Sequence, residues 1–386
     1  MRPLPRALTV LSSLALLSTL LVAPASAGGP TTRWVDDDGR AGPSNCGGSR
    51  QVPKAIQVAV DASSVGDTIL VCPGTYVGTV TIGTSNLTVR GVQPWKATLL
   101  PRPDHSSNTS LVLIQDTSGV TIQWLNILAR TTGTCEQVGG LVTVFQAPRT
   151  TIRSNRMGTR GSATLGSCGY ESGVRLIDSN RSVIAFNLIQ DFKNAGIEAR
   201  DTNGPVTITR NSVRYFHAGY APTGYSGMAG IIVQETPQAV ISDNRVRNLP
   251  TSASTTPVSD GIVAYGSQAT ITRNKVWYTG SGIAFLLVEG GRIRDNQVGA
   301  SRIQGIVLGR SVDNRVSENQ VSGDGLGIYL WSSSTGNRIH DNDIRGNTGL
   351  DCRDESSGTG TDGTANDWAS NLADDASPAG ICSSPI

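Results

Sequence analysis

Residues 261–276 read Gly261-Ile262-Val263-Ala264-Tyr265-Gly266-Ser267-Gln268-Ala269-Thr270-Ile271-Thr272-Arg273-Asn274-Lys275-Val276. The stretch holds a glycine with an aliphatic neighbour, a turn of small and polar residues, and then Ile-x-x-Asn-x-Val. The second half recurs around eight asparagines, at 155, 187, 211, 244, 274, 296, 319 and 342. Each has an aliphatic residue three positions earlier and Ile, Val or Met two positions later. Upstream of seven of them stand Gly173-Val174, Gly196-Ile197, Gly230-Ile231, Gly261-Ile262, Gly282-Ile283, Gly305-Ile306 and Gly327-Ile328. Where nothing is inserted, the asparagines are 22 to 24 residues apart, the length of one solenoid coil of three short strands and three turns. The aliphatic positions of each unit are expected to point inward and stack coil on coil, with the alternate positions facing solvent.

Composition agrees with many short strands. Glycine accounts for 45 of 386 residues and charged side chains for only 16%, which suits tight turns better than helices. Residues 1–27 carry Arg2 and Arg6, an apolar run from Leu8 to Val22, and Ala25-Ser26-Ala27. This pattern predicts a cleaved secretory signal, hence a secreted, extracellular protein with no membrane span once the signal is removed. Without those two arginines the formal charge falls from +2 to 0. A neutral chain lacking a basic cluster argues against nucleic acid as a partner. A monomer is expected.

Six cysteines in an exported chain suggest three disulfides. Sequence alone permits fifteen pairings, and position favours neighbours: Cys46 with Cys72, Cys135 with Cys168, and Cys352 with Cys382. Stapling is their expected role, because no Cys-x-x-Cys or Cys/His spacing points to a metal or redox site.

Along the chain, residues 28–51 read as an irregular lead-in. A short amphipathic helix is predicted over 53–62, with Ile56, Ala59 and Val60 on one face and Pro53 in the first turn, covering the open end of the first coil. The coils run over 52–345. Residues 346–386, with Trp368, Cys352 and Cys382, read as a disulfide-stapled cap on the last coil. Longer Asn to Asn spacings of 32, 33 and 30 residues expose insertions at 158–172, 214–229 and 247–260, and a similar loop at 129–139. The three insertions fall between the strand after the asparagine and the next glycine, and the loop at 129–139 precedes Gly140, so they are expected to build a wall along one side of the cylinder, where function is to be sought.

The segment Ala55–Gly91, with its helix, Gly66-Asp67-Thr68-Ile69-Leu70-Val71-Cys72-Pro73-Gly74-Thr75-Tyr76 and Leu87-Thr88-Val89-Arg90-Gly91, resembles the amino-terminal end of right-handed parallel β-helix proteins of the pectin-lyase-like superfamily. The later units resemble the repeats of its carbohydrate-binding and sugar-hydrolase type. The resemblance spans roughly residues 52–345. It implies an all-β fold, a right-handed parallel β-helix of about ten three-strand coils with an N-terminal capping helix and an irregular C-terminal cap. It also implies an extracellular polysaccharide as partner.

The outward positions of the glycine-led strand are Arg175/Ile177, Glu198/Arg200, Ile232/Gln234, Val263/Tyr265, Ala284/Leu286, Val307/Gly309 and Tyr329/Trp331. Charge gathers in the early coils and apolar or aromatic side chains in the later ones. The wall over the early coils adds Tyr170, Glu171, His217, Tyr220 and Tyr225, with Asp260 just before a strand glycine. In the resembling lyases acidic groups hold a calcium ion against the sugar carboxylate while an Arg or Lys removes the α proton. Carried over, Arg200 or Arg175 would be the base, and Glu198, Asp201 and Glu235 the acidic groups. A cluster of Asp on one coil, a Gly-His-Gly motif and a paired-Asp motif are missing. Hydrolysis by two carboxylates is the other route, through Glu198 with Glu235 or Glu171 on neighbouring coils. His217 among Tyr215, Phe216, Tyr220 and Tyr225 has the composition of a sugar-stacking, proton-transferring loop. The candidate catalytic residues are therefore Glu198, Arg200 and His217, and the candidate binding residues Arg175, Glu171, Gln234, Glu235, Tyr265, Tyr220 and Tyr225. Two functions fit: a lyase or glycoside hydrolase of a uronate-containing glycan, or a non-catalytic carbohydrate-binding or cell-surface protein. The ladder asparagines themselves are expected to be structural, taking the unusual backbone angles of a strand bend while their amides donate to the next coil and accept from the previous one, and the column Arg210, Asp243, Arg273, Asp295, Glu318 and Asp341 beside them to form cross-coil ion pairs of small net worth.

Overall fold

The computed structural model describes residues 29–102, 110–129, 140–159, 171–192, 194–215, 229–248 and 260–382. In the order the chain visits them, one coil runs Asp260–Tyr265, Ala269–Thr272 and Lys275–Trp277, and returns at Ser281–Leu286. These strands belong to three separate sheets, in which each neighbour lies one coil further along the chain. Sheet one, which holds Ala269–Thr272, has 13 strands; sheet two, with Lys275–Trp277, has 10; sheet three, with Asp260–Tyr265, has 12. Pairing within them is parallel, and parallel crossovers of this kind take the right hand. The ten strands of sheet two count ten complete coils, so the fold is the expected right-handed parallel β-helix.

Register explains why the repeat must keep its length. Ile262 pairs with Ile283, Ile271 with Ile293, and Val276 with Val298, so aliphatic side chains stack on their own equivalents inside the cylinder. The result is one continuous apolar core from Val35 to Cys382. The strand glycines belong to this packing. A Cβ at Gly196 would collide with the Val213 side chain of sheet two and stand 2.7 Å from the Gly230 carbonyl oxygen. Sheet three therefore approaches sheet two most closely along the glycine column.

The eight asparagines form a buried ladder that Asn371 extends to nine. The Asn211 amide N–H and its Nδ2 both donate to Asn244 Oδ1, at 2.9 and 3.0 Å, while Nδ2 also donates to the Ile184 carbonyl at 2.9 Å. Asn244 repeats this toward Asn274 and Ile208. The asparagines were expected to adopt the unusual backbone angles of the corner themselves. Instead, the residue before each one does so: Ser154, Phe186, Arg210, Asp243, Arg273, Asp295, Glu318, Asp341 and Ser370 have φ between +54° and +58°. The left-handed residue turns the chain by about a right angle, and the asparagine then repairs the hydrogen bonding that the corner interrupts. In the charged column, Arg273 pairs with Asp243 at 2.9 Å. Arg294, from the adjoining strand, takes both Asp295 and Glu318. A second buried ladder, Asn314, Asn337 and Asn366, runs along the corner between sheets three and one in the last coils.

Both ends are closed. The helix is shorter than expected, Ile56–Asp61, because the Pro53 carbonyl accepts the Asp36 amide and holds the preceding chain extended. Ile56, Ala59 and Val60 are its buried face. The lead-in supplies a strand of its own, Thr32–Val35, which begins sheet one by pairing with Thr68–Val71. Asp67 ties the two together, accepting the Thr31 amide at 2.7 Å, the Ser64 amide at 3.0 Å and Arg33 Nε at 3.1 Å. The far end continues the sheets through Cys352–Asp354, Asp367–Ala369 and Ala376–Ser377. There Trp368 is buried and its Nε1 donates to Asp354 at 2.8 Å. Cys46–Cys72 and Cys352–Cys382 are disulfides; Cys135 and Cys168 lie outside the described residues. No helix among the described residues is long and apolar enough to cross a membrane.

Two outcomes are expected. Replacing Asn244 by Ala strips the acceptor from two Asn211 N–H groups and the donor from Ile208, and lowers stability by about 3 kcal/mol, because each stranded buried group costs about 1–3 kcal/mol. The exposed Asn203→Ala changes it by less than about 0.5 kcal/mol; urea unfolding followed by circular dichroism measures both. At Asp67 burial pushes the carboxyl up, but the Ser64 and Thr31 amides and Arg33 outweigh it and hold its pKa at about 2. A carboxyl depressed by folding contributes stability above its unfolded pKa and loses it as pH falls through the folded one. Thermal midpoints between pH 6 and pH 2 should therefore drop less steeply for Asp67→Asn than for the parent.

Candidate functional site

The outer face of sheet three carries the residues that the sequence placed there, in continuous register. Thr143, Arg175, Glu198, Ile232, Val263, Ala284, Val307, Tyr329 and Arg353 occupy one column on successive coils. Phe145, Ile177, Arg200, Gln234, Tyr265, Leu286 and Gly309 occupy the parallel one. Side chains alternate across a strand, so every member of both columns projects away from the core, and stacking brings residues distant in sequence to neighbouring coils.

Glu198 is the centre of the charged end. It is 7% exposed, with Arg175 Nε at 3.2 Å from one oxygen and Arg200 Nε at 3.6 Å from the other. Ser172, one residue before its strand glycine, donates from Oγ to Glu198 at 3.0 Å. Glu171 lies 3.9 Å from the other side of Arg175. Two carboxylates and two guanidiniums give a net charge of zero, and the buried Glu198 is clamped between cations on both sides. Neither arginine uses its Nε fully. Both Nε atoms are buried without a hydrogen bond, although they lie within ion-pair distance of Glu198.

Of the two expected acid pairs, Glu198 with Glu235 does not form, while Glu171 and Glu198 both approach Arg175. Glu235 stands past the end of its strand, exposed, in a left-handed corner conformation with φ +47°. Asp178 and Asp201 hold the same corner on the two preceding coils, their amides bonded to the strand ends of the next coil. Glu198 points out from mid-strand and is already occupied by Ser172, Arg175 and Arg200, so the two carboxylates serve different surfaces. Gln234 follows Arg200 in its column, and Tyr265, 38% exposed, follows Gln234. Asp260 is half-buried at the start of its strand and accepts the Ser281 amide at 3.1 Å; desolvation raises its carboxyl above the usual range. His217, Tyr170, Tyr220 and Tyr225 lie outside the described residues. The chain leaves sheet two at residues 129, 159, 215 and 248 and enters sheet three at 140, 172, 229 and 260, so all four insertions connect the same two sheets.

Beyond the charged end the face turns apolar. Ala229, Val263, Ala284 and Val307 are buried in a cluster outside the core, with Ile232, Leu286 and Tyr329 packed against them. The last coil ends the strip with polar aromatics. Tyr329 donates to Glu355 at 2.7 Å beneath the Arg353 guanidinium, which is 5.3 Å from its ring. Burial and the Glu355 carboxylate push the Tyr329 phenol up to about 12. Trp331 leans over Gly309, where no side chain obstructs it. Sequence reasoning missed Ser172 and Glu355; the serine adjoins Gly173, but only the register shows that it faces Glu198.

Among the described residues, the sole group of three His, Cys, Asp or Glu side chains with ligand atoms within 4.8 Å is Asp36, Cys46 and Cys72. Both cysteines are in a disulfide, which removes them as thiolate ligands. Calcium calls for six to eight oxygens, and the acidic groups near Glu198 already face guanidiniums.

Removing the clamp should be costly. Glu198→Gln leaves two partly buried cations facing one another, and it is expected to lower stability by about 3 kcal/mol. Glu171→Gln, at the half-exposed rim, changes it by less than about 0.5 kcal/mol. Denaturant titration of both variants measures the difference.

Residues 222–373 match the family model described as "Periplasmic copper-binding protein (NosD)", which is less than half of the chain. Copper favours imidazole and thiolate or thioether donors. The one described histidine, His340, is held between Arg315 and Asp341, and the described cysteines are disulfide-bonded, so the described residues do not fit that metal. No curated protein matches in sequence. Among solved structures, the Dettilon tailspike protein is similar at 17% identity and a TM-score of 0.57, over 80% of this chain and 62% of the tailspike. This chain thus spans less than two thirds of the tailspike's length. The A-module of the Azotobacter vinelandii mannuronan C-5 epimerase AlgE4 is similar at 12% identity and a TM-score of 0.50, over 82% of this chain and 92% of the module. Coil, ladder, capped ends and these likenesses agree: the chain has the right-handed parallel β-helix fold.

Proposed function

We propose that this protein binds an acidic polysaccharide along the outer face of sheet three, outside the cytoplasm. The observation that carries the reading is the partly exposed guanidinium of Arg200, whose Nε stands 3.6 Å from Glu198 and makes no hydrogen bond to it. A sugar carboxylate arriving at Arg200 completes a donor set that Glu198 leaves incomplete, and charge-assisted bonds of this type are the strong ones. The sugar rings then follow the register past Gln234 to Tyr265, where apolar and aromatic surface suits their faces. The four insertions all connect sheet two to sheet three, so the chain departs for each of them from the same side of that face.

Binding is favoured over bond cleavage because Glu198 is committed to two cations and a serine, and Glu235 is displaced to the corner. No pair of described carboxylates on this face is left with one acid and one base free for hydrolysis. The mannuronan in the name of the similar epimerase is itself a uronate polymer, which supports the ligand class only as far as a shared fold can. An exported location is supported by the apolar leader at residues 8–22 and by the two disulfides.

Isothermal titration of the protein lacking residues 1–27 with a polyuronate and with a neutral glycan of equal length tests this. The polyuronate should bind, more weakly as salt rises, and Arg200→Gln should weaken it about tenfold or more. Equal affinity for the neutral glycan would overturn the charge-based reading. Release of unsaturated or reducing ends, with or without calcium, would replace binding by catalysis.

A further inference from the structure

A second charged surface lies on sheet one, in the late coils. Arg292, Arg315 and Arg338 occupy the same outward register on three successive strands, Arg292–Arg294, Arg315–Ser317 and Arg338–His340. Neighbouring strands are about 4.8 Å apart, and like charges directly opposite repel. Four other arginines of the described residues are neutralised by a carboxylate: Arg273 with Asp243, Arg294 with Glu318, Arg345 with Asp343, Arg353 with Glu355. The three stacked arginines have no ion pair with a described carboxylate. Arg315 Nε donates to His340 Nε2 at 2.7 Å, and His340 Nδ1 is 2.7 Å from Asp341. That chain braces Arg315 through a ring nitrogen, and no described carboxylate contacts Arg315 itself.

Beside the arginines is a groove of about 330 Å³. Its floor is the corner that precedes the strands, where Gly290, Asp313 and Gly336 have φ of +65°, +54° and +69°. Gly336 has no side chain, and the Asp313 carboxylate lies in the space its Cβ would take. The lining holds three guanidiniums and one carboxylate, so its net charge is +2. Asp367 faces Arg338 on the next coil and ends the basic ladder.

We infer that this groove is a second binding site, for a linear acidic glycan laid across the coils. Three guanidiniums repeating at the coil spacing match a polymer that presents carboxylates or sulfates at regular intervals. The Asp313 carboxylate, at the middle of the floor, accepts hydrogen bonds from sugar hydroxyls, a donor that a bare anion lacks. The lining has no aromatic ring on which a nucleobase would stack, which favours a sugar chain over single-stranded nucleic acid. This site lies on a different sheet from Arg200 and is independent of the function proposed above.

The protein lacking residues 1–27 and carrying Arg200→Gln isolates the groove, and its binding of a fluorescently labelled oligouronate is measured by anisotropy at several salt concentrations. Binding should persist in this background and fall at least tenfold when Arg292, Arg315 and Arg338 are all changed to Gln, with a shallower salt dependence. The three side chains are exposed, so the variant should keep its thermal midpoint. Asp313→Asn should weaken the oligouronate while tightening inorganic phosphate. Unchanged oligouronate affinity in the triple variant, or no binding in the Arg200→Gln background, overturns the site. Binding of phosphate without oligouronate reduces it to an adventitious anion contact and overturns the glycan assignment. The triple variant with Arg200 intact reports on sheet three alone, so failure of one proposal is distinguishable from failure of the other.

Discussion

The rest of the structure depends on the hydrogen bonds that one buried asparagine makes with the coils on either side of it. At the corner between sheets one and two the chain must turn sharply, and it does so through a left-handed residue that costs about 1–2 kcal/mol for most side chains. The turn also interrupts the regular pairing of backbone groups, which a buried segment cannot tolerate. Asn211 answers both problems at once. Its side chain takes the carbonyl of the previous coil and reaches the next asparagine, while its own oxygen accepts two N–H groups from Asn187. Because each rung needs the next, the corner admits neither insertion nor deletion.

That rigidity decides where variation is allowed. All four insertions enter between sheets two and three, away from the asparagine corner. The strand face beside them can then hold residues chosen for contact with a ligand, since the core and the ladder carry the stability. The same separation explains how Glu198 is kept nearly buried outside the core. Its charge is balanced by Arg175 and Arg200 on the surface, without help from the apolar interior. Sheet one shows the contrast: Arg292, Arg315 and Arg338 stand on a face whose only structural demand is that Ile293, Val316 and Ile339 point inward.

Some of this was legible in the residue pattern. The asparagine frame set coil length, and the stacking of Ile271 on Ile293 followed from that frame alone. The helix face Ile56, Ala59 and Val60 was equally readable, and so were the Cys46–Cys72 and Cys352–Cys382 pairs. The left-handed residue was misplaced by one position, because asparagine is the residue expected at such angles and its neighbours vary from Ser to Phe to Glu. The shorter ladder of Asn314, Asn337 and Asn366 went unseen, since three rungs make a weak period and its second spacing, 29 residues, differs from the 23 before it.

By itself, the sequence determined the architecture: period-two alternation and a repeat of 22 to 24 residues leave a stack of three-strand coils as the way to bury the aliphatics. It also determined which side chains face out, because alternation is a local property of each strand. What only the tertiary structure decided is which of those outward residues touch. Glu198 and Glu235 were candidates for one site, yet one projects from mid-strand and the other from the corner. Ser172, Arg175, Glu198 and Arg200 come together because parallel pairing sets residues 23 apart side by side. Contacts of that kind depend on the offset between coils and on where each strand ends, and neither is written in any single repeat.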